Sequence, residues 1–313
     1  MQEVRFERRT YCPVCSSKKL TSVYSSEFTE NGVRKYLLMA YGQAKSFDIQ
    51  HLKNAKYSLL KCEDCDLIFQ EYIPSPKFMS HLYGNCTSDT IKSPQQYKLS
   101  YYSIYSQDIL QILAYLGKPP ANMKVLDFGM GWGRWALMAK AFGCEVYGVD
   151  LSDRCVEYAK ANGINTIRWH DIPNYKFDFI NTDQVFEHLA EPVSILTQLE
   201  RSLQTDGVIK ICVPNSFGMR YRLRHMAWSA PKGSVKSLNP VAPLEHINCF
   251  YRKSMLRLAQ QVELSEVKIP IAVQYQYTAV WNSPKRALRN IVKPIYRNLL
   301  GLQNYYLFKK SAV

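Results

Sequence analysis

The segment Val125-Leu126-Asp127-Phe128-Gly129-Met130-Gly131-Trp132-Gly133 places an apolar run, a carboxylate and three alternating glycines directly before a helical stretch. A second apolar run, from Val146 to Val149, ends in Asp150. In a parallel α/β sheet the ligand binds outside the carboxyl ends of the strands, where glycines let the backbone approach it and a helix N-terminus offers free N–H groups. The spacing is G-x-G-x-G, with Arg134 where a dinucleotide-binding turn has its third glycine. The pattern predicts a parallel α/β sheet with a ligand site at this turn and disfavours a nicotinamide cofactor.

Three further blocks follow the glycine turn along the chain. They are Trp169-His170-Asp171-Ile172, Phe177 to Leu189, and Leu203 to Asn215. Together with the glycine turn and Asp150, they resemble the class I S-adenosylmethionine-dependent methyltransferases. The resemblance implies an α/β fold with a seven-stranded Rossmann-like sheet, and S-adenosylmethionine as cofactor. A glycine-rich turn that only closes a sheet corner is the alternative for an isolated motif, and the ordered set of blocks disfavours it.

The resemblance also implies which residues surround the methionyl part of the cofactor. Gly129 and Gly131 are expected to bring the backbone close to it, in a turn that Gly133 completes and Asp127 supports. Gln184 is expected where the chain passes below the sulfonium.

The ribose and adenine are assigned to residues that follow the next two strands. Asp150 is expected to accept hydrogen bonds from both ribose hydroxyls. Asp171 is expected to bind the adenine amino group, with Ile172 and Leu151 covering the faces of the ring.

Four of the nine cysteines form two C-x-x-C pairs, Cys12 with Cys15 and Cys62 with Cys65. Two such pairs place four thiolates where a tetrahedral Zn²⁺ can bind them, and a four-sulfur site is structural because it leaves no position for water. Between the pairs, Tyr36 to Met39 and Tyr57 to Leu60 are candidate strands. The alternatives are two unrelated pairs of buried thiols, or a redox C-x-x-C.

After the second pair the chain reads as an apolar strand from Leu67, a Pro-x-Pro turn, and a short helix from Phe78 to Tyr83. This arrangement is similar to the N-terminal module of bacterial methyltransferases that modify deoxysugars, glycans and natural products. The resemblance matches Tyr83 to a tyrosine near the substrate. The apolar spacing from Tyr97 to Leu116 then predicts a helix that leads into the first strand of the sheet.

Two Glu-His dipeptides are the catalytic candidates, Glu187-His188 after the fourth strand and Glu245-His246 further along. Methyl transfer is an in-line displacement on a cationic sulfur, so the enzyme must position the acceptor and, for a hydroxyl or carbon acid, remove its proton. In the zinc-containing deoxysugar C-methyltransferases the matching histidine is proposed as base. The resemblance therefore makes His246 the first candidate, Glu245 its hydrogen-bonding neighbour, and His188 a second acid, base or binding group. A purely structural role is the alternative for both histidines.

The formal net charge of +14 comes from the C-terminal third of the chain. Residues 1–207 contain 23 basic and 23 acidic residues, whereas residues 208–313 contain 17 and 3. Part of the excess, including Arg220 to His225, lies in a predicted substrate lid at about 214–245. Arginine binds phosphates in a bidentate manner, which favours a phosphate-bearing acceptor, and a solvated basic lid is the alternative.

From residue 284 onward the chain has seven basic and no acidic residues. Five apolar residues of this tail share one helical face: Leu288, Ile291, Val292, Ile295 and Leu299. Such a segment either lies on an anionic membrane surface or, more commonly, packs on its own domain, with a kink at Pro294. Stacking of RNA on Tyr305, Tyr306 and Phe308 is a further interpretation, although no RNA-binding module is recognisable.

The sequence thus predicts a zinc-binding module at 1–92, a methyltransferase domain at 93–274 and a basic extension at 275–313. The predicted function is O- or C-methylation of a sugar, glycan or related small molecule. A non-catalytic saccharide or membrane adaptor is one alternative, which the intact cofactor motif disfavours. An RNA methyltransferase is the other, disfavoured because Asn181-Thr182-Asp183-Gln184 differs from an Asn-Pro-Pro-Tyr strand end. The absence of an apolar run of about 18 residues and of a signal peptide indicates the cytoplasm, with peripheral contact at the inner membrane surface left open.

Overall fold

The computed structural model describes residues 6–42, 48–75, 77–78, 99–277, 287–288, 290–292, 294–295 and 304–311. The chain divides into two compact units. Unit 1 contains Met1–Ser93, Phe186–Val193 and Pro214–Gln261, and unit 2 contains Pro94–Val185, Ser194–Val213 and Val262–Val313. The predicted lid at about 214–245 falls in unit 1 and the predicted extension at 275–313 falls in unit 2. The predicted domain boundaries stay a prediction.

The described strands are β1 (Phe6–Arg8), β2 (Leu20–Glu27), β3 (Lys56–Cys62), β4 (Ile68–Gln70), β5 (Tyr72–Pro74), β6 (Lys124–Phe128), β7 (Glu145–Val149), β8 (Asn165–Thr166), β9 (Phe177–Asp183), β10 (Leu203–Cys212), β11 (Asn248–Cys249), β12 (Leu264–Val267) and β13 (Tyr305–Lys310). The longer described helices are α1 (Asn31–Tyr41), α2 (Leu99–Leu116), α3 (Arg134–Ala141), α4 (Asp153–Ala161), α5 (Pro192–Arg201), α6 (Met219–His225), α7 (Arg252–Gln260) and α8 (Ile271–Gln276). Among the described residues, no helix is both long and apolar enough to cross a bilayer.

Unit 2 is built on a seven-stranded sheet with the order β12-β13-β10-β9-β6-β7-β8. The five strands from β10 to β8 are parallel, whereas β13 runs antiparallel to both β10 and β12. Strands β6 and β9 are buried along nearly their whole length, as expected for parallel strands covered on both faces. The predicted Rossmann-like sheet of seven strands is confirmed.

Strand β13 corrects the interpretation of the chain's C-terminal part as a tail. It lies between β10 and β12, and Tyr306 and Phe308 are 3% and 0% exposed. These two rings are core side chains of the sheet, which argues against the interpretation that they stack on RNA. By contrast, Leu288, Ile291, Val292 and Ile295 are all exposed.

Unit 1 contains an antiparallel four-stranded sheet with the order β11-β4-β3-β2, and β1 pairs with β5. Tyr57 to Leu60 lies in β3 as predicted, but Tyr36 to Met39 lies in α1 and not in a strand. The physical reason is the period of the apolar residues: Val33, Leu37 and Tyr41 are buried at intervals of four. Helix α2 confirms the helix predicted to precede the sheet.

The glycine turn after β6 leaves no room for a side chain at Gly129. A Cβ on Gly129 would lie 2.5 Å from Cγ2 of Val185, and the φ of Gly129 is +71°. Gly131 has a similar φ of +52°, but its Cβ would meet nothing within 4 Å. We expect Gly129→Ala to lower the free energy of unfolding by about 2 kcal/mol, through overpacking and backbone strain. Gly131→Ala should cost only the strain, about 1 kcal/mol. Equal urea midpoints for the two variants would contradict this packing.

Candidate functional site

The glycine turn of unit 2 is held against the end of the neighbouring strand. The amides of Gly129 and Met130 donate to the carbonyl of Val149 at 2.8 and 3.0 Å. The carboxylate of Asp150 accepts from the amides of Gly131 at 2.7 Å and Ser152 at 2.8 Å. A carboxylate has about four lone-pair positions, so Asp150 can support the turn and still accept from a ligand.

Asp127 is buried beneath this turn and ties three elements together. Its carboxylate accepts from the side-chain amide of Asn181 at 2.8 Å and from the amide of Ala136 in α3 at 3.2 Å. Burial raises the pKa of Asp127 to about 7. Its bond to Ala136 ties β6 to the helix that follows the glycines, and Asn181 is a partner that sequence reasoning missed.

The other predicted cofactor residues lie in segments that follow neighbouring strands. Gln184 comes directly after β9, with a φ of +58°, and its amide donates to the carbonyl of Cys212 at 2.9 Å. Asp171 is half-buried in a 3-10 turn after β8. Ile172 is 0% exposed and Leu151 is 95% exposed. Leu151 is therefore the side chain open to contact with a ring, and the roles assigned to these residues remain predictions.

The four cysteines of the two C-x-x-C pairs come together in unit 1. Sγ of Cys12 lies 3.5 Å from Sγ of Cys65, and Cys15 and Cys62 are equally close. All four sulfurs lie within 4.8 Å of one another. Zn–S bonds of about 2.3 Å in a tetrahedron place sulfurs about 3.8 Å apart. The donor set and spacing therefore fit a structural zinc ion.

The two cysteine pairs lie in turns of the same geometry, as expected if both pairs bind the same metal ion. The amide of Ser16 donates to the carbonyl of Cys12, and that of Asp66 to Cys62, both at 2.9 Å. Ser16 and Asp66 both have a left-handed backbone, with φ of 58° and 63°. Each pair thus presents its two thiols from the same kind of backbone loop.

Both predicted catalytic histidines lie in unit 1, with their rings in contact. The ring centroids of His188 and His246 are 4.8 Å apart in an edge-to-face arrangement. Nδ1 of His188 lies 2.9 Å from the carbonyl oxygen of Glu245, and Nδ1 of His246 bonds to the carbonyl of Asn239. Glu245 thus contacts His188 through its backbone. The further candidate Tyr83 lies outside the described residues.

A buried carboxylate completes this group, which we call the histidine cluster (Glu187, His188 and His246). Glu187 is 0% exposed, and its Oε1 lies 3.9 Å from Nε2 of His188. Burial lowers the pKa of His188, and burial together with His188 lowers the pKa of His246 well below its usual range. Both imidazoles are therefore neutral at neutral pH and carry a lone pair.

A polar framework that the sequence did not indicate holds the histidine cluster in place. The side-chain amide of Asn248 donates to the carbonyls of Phe186 at 3.2 Å and Leu189 at 2.7 Å, which fixes the turn carrying Glu187 and His188. The side-chain amide of Gln70 in β4 donates to the carbonyls of Ala242 and His246 at 3.0 and 3.1 Å. The cluster is therefore anchored to β4, a strand of the four-stranded sheet of unit 1.

The guanidinium of Arg9 joins this framework from the N-terminal side. Arg9 is partly buried, and burial of its guanidinium lowers the pKa of Arg9 to about 9. It donates to the side chain of Asn248 at 2.8 Å and to the carbonyls of Gln70 and Ile247 at 2.7 and 2.6 Å. An arginine so far from the dipeptides in sequence carried no signal that could have identified it.

Comparison with known proteins places the chain in a family. Residues 101–268 match the family described as "Methyltransferase domain", which is more than half of the chain. The protein belongs to this methyltransferase family.

Relatives and solved structures carry several methyltransferase names. The tRNA 5-carboxymethoxyuridine methyltransferase of Escherichia coli K12 is 28% identical over 45% of this chain and 60% of its own length. A ubiquinone biosynthesis O-methyltransferase of Actinobacillus pleuropneumoniae serotype 5b is 27% identical over 40% of this chain and 62% of its own. The chain thus spans about 60% of the length of these relatives. The plantazolicin methyltransferase BpumL in complex with SAH is similar in structure, with 15% identity, 75% and 95% coverage and a TM-score of 0.47.

Proposed function

We propose that this protein transfers a methyl group from S-adenosylmethionine to a hydroxyl or acidic carbon of a sugar, glycan or related small molecule. The observation that carries the proposal is the glycine turn whose Gly131 amide is bound by Asp150, within a chain of the methyltransferase family. Strands β6, β7 and β9 are parallel neighbours, so their carboxyl ends share one edge of the sheet, where ligands of such sheets bind. Asp127, the three glycines, Asp150 and Gln184 lie at that edge.

In this proposal the histidine cluster binds and activates the acceptor. The acceptor oxygen or carbon forms the new bond to the methyl carbon, the methyl–sulfur bond breaks, and the thioether leaves as S-adenosylhomocysteine. The acceptor proton passes to Nε2 of His246. In a neutral ring whose Nδ1 donates to a carbonyl, Nε2 is the nitrogen that carries the lone pair and acts as the base. His188 is the proposed second acid, base or binding group, and Glu245 supplies a carbonyl that orients it.

The basic residues of the predicted lid support an acceptor that bears a phosphate. In the predicted lid, the guanidinium of Arg222 donates to the carbonyls of Asn215, Phe217 and Ser237 at 3.2, 2.5 and 3.1 Å, so it serves the loop's own structure. Arg220 and Arg224 are exposed on the same helix. They are the residues that we propose for binding a phosphate on the acceptor.

The acceptor is tested by supplying isotopically labelled S-adenosylmethionine with separate pools of activated sugars, lipid-linked saccharides and tRNA. Mass spectrometry should find the label in a saccharide pool. Label found only in tRNA would contradict a saccharide acceptor and support the RNA methyltransferase alternative. That alternative is favoured by the name of one relative, the tRNA 5-carboxymethoxyuridine methyltransferase. Cofactor binding without transfer to any pool would favour the non-catalytic adaptor.

We further propose that Cys12, Cys15, Cys62 and Cys65 hold one structural Zn²⁺. The support is the mutual spacing of the four sulfurs, within 4.8 Å. An ion bound there would fasten the start of β4 to the N-terminal segment. Its expected chemistry is structural, because four thiolates fill a tetrahedral ion.

Peripheral contact with an anionic membrane is a separate proposal. Four of the five apolar residues predicted to share a helical face are exposed, and the chain from 284 onward carries seven basic and no acidic residues. We expect Ile291→Asn with Ile295→Asn to weaken binding to vesicles that contain anionic lipid, since buried apolar area and charge both contribute. Wild-type protein that ignores such vesicles even at low salt would contradict the proposal. Deleting 284–313 is unsuitable as a test, because it removes β13.

A further inference from the structure

The histidine cluster has the composition of a metal site as well as that of a base. It combines two imidazoles with one carboxylate, and its donor atoms all lie within 4.8 Å of one another. We propose that Glu187, His188 and His246 bind one divalent metal ion of the kind that accepts mixed nitrogen and oxygen ligands, such as Mn²⁺, Co²⁺ or Zn²⁺. This site is separate from the four cysteines.

The distances allow an ion to be held with little movement. Metal bonds to nitrogen and oxygen of about 2.1 Å place two donors of one ion at most about 4.2 Å apart. Oε1 of Glu187 and Nε2 of His188 are already 3.9 Å apart. No two of the three donor atoms are more than 4.8 Å apart, so an ion needs the most distant pair to approach by less than about 1 Å.

The hydrogen bonds of both rings select the nitrogen that can bind an ion. Nδ1 of His188 faces the carbonyl of Glu245, and Nδ1 of His246 faces the carbonyl of Asn239. A carbonyl oxygen only accepts, so in each ring Nδ1 carries the hydrogen and Nε2 carries the lone pair. Metal-ligating histidines typically show this arrangement, with the far ring nitrogen donating to a carbonyl or carboxylate.

Burial and rigidity strengthen the case. The carboxylate of Glu187 is fully buried, and coordination of a metal is one of the ways in which proteins stabilise a buried charge. Asn248 and Gln70 fix the backbone on both sides of the cluster through side-chain amide bonds to backbone carbonyls. The donors are thus held by a framework of hydrogen bonds, which favours binding because little ordering is needed.

The donor set also indicates what the ion would do. Three protein ligands leave coordination positions open, which is typical of catalytic and not of structural sites. A bound ion would supply Lewis acidity there: an acceptor hydroxyl at an open position would lose its proton to water more readily, because the ion would stabilise the oxygen anion. This role rests on the proposed function, and it is an alternative to direct proton transfer to His246. Binding of the ion does not depend on that function.

The test is a titration of the full-length, zinc-loaded protein with Mn²⁺, followed by electron paramagnetic resonance. Mn²⁺ is used because it prefers oxygen and nitrogen donors and leaves thiolate sites to zinc. We expect one Mn²⁺ per chain for the wild type, and at least tenfold weaker binding for Glu187→Gln, which keeps the shape of the side chain. The exposed His225 lies in the same unit, so His225→Gln is the matched control and should bind like the wild type.

His188→Gln provides a second variant at a partly exposed position, in case Glu187→Gln fails to fold. Circular dichroism of each variant checks folding before titration. No bound Mn²⁺ in the wild type, or equal affinity in a folded cluster variant, would overturn the metal site. The proposed function would survive that result, because S-adenosylmethionine binding and methyl transfer are measured independently of Mn²⁺.

Discussion

Replacing His246 with alanine is expected to lower turnover about 100-fold or more while leaving the affinity for S-adenosylmethionine nearly unchanged. A group that takes the acceptor proton, or holds the ion that acidifies it, acts in the transition state and not on the bound cofactor. The measurement is a comparison of kcat in saturating acceptor with the cofactor dissociation constant from calorimetry.

His225→Ala is the matched control, because this histidine is exposed and its Nδ1 bonds to the carbonyl of Tyr221 in its own helix, α6, at 2.8 Å. Its kcat should stay within about twofold of the wild type. If the His246→Ala enzyme retained its turnover, the role of His246 would be structural, through its bond to Asn239, and His188 would become the candidate base.

The second large effect is expected from Cys62→Ser. The loss of one thiolate should abolish the proposed zinc binding, and structural zinc contributes on the order of 10 kcal/mol to the folding of small metal-binding modules. Cys62 ends β3, and its amide donates to the carbonyl of Leu67 just before β4. Because Gln70 of β4 supports the histidine cluster, this change should abolish turnover as well as stability.

Zinc content by mass spectrometry and unfolding by calorimetry measure the two parts of this prediction. Cys249→Ala is the control, since Cys249 is buried in the same unit but is not one of the four clustered cysteines. It should retain one zinc per chain. Wild-type protein without zinc after purification in the absence of chelators would contradict the assignment.

The central sheet was predictable because its signals are local. A run of buried apolar residues, a glycine turn and a carboxylate at the next strand end appear together in sequence, and the structure joins them through the bond from Gly131 to Asp150. The two C-x-x-C pairs were predictable for the same reason, since each pair forms one backbone loop.

The parts that sequence reasoning missed depend on contacts between distant segments. Asn248 supports the turn at Phe186, 62 residues away, and Gln70 supports His246, 176 residues away. Polar side chains of this kind have no periodic pattern. The strand β13 was missed because basic residues surround it and a long stretch separates it from β10, its partner in the sheet. The helical Tyr36 to Met39 was missed because four residues cannot distinguish a strand from a helix.

The claim that the glycine turn binds S-adenosylmethionine is tested most directly by isothermal titration calorimetry. We predict one cofactor molecule per wild-type chain, and an affinity weakened by about 2 kcal/mol, roughly 30-fold, in Asp150→Ala, because this change removes the carboxylate expected to accept charge-assisted hydrogen bonds from the ribose. Asp153→Ala removes an exposed carboxylate three residues further on and should bind like the wild type. No heat of binding in the wild type, or the same affinity in Asp150→Ala, would contradict the account.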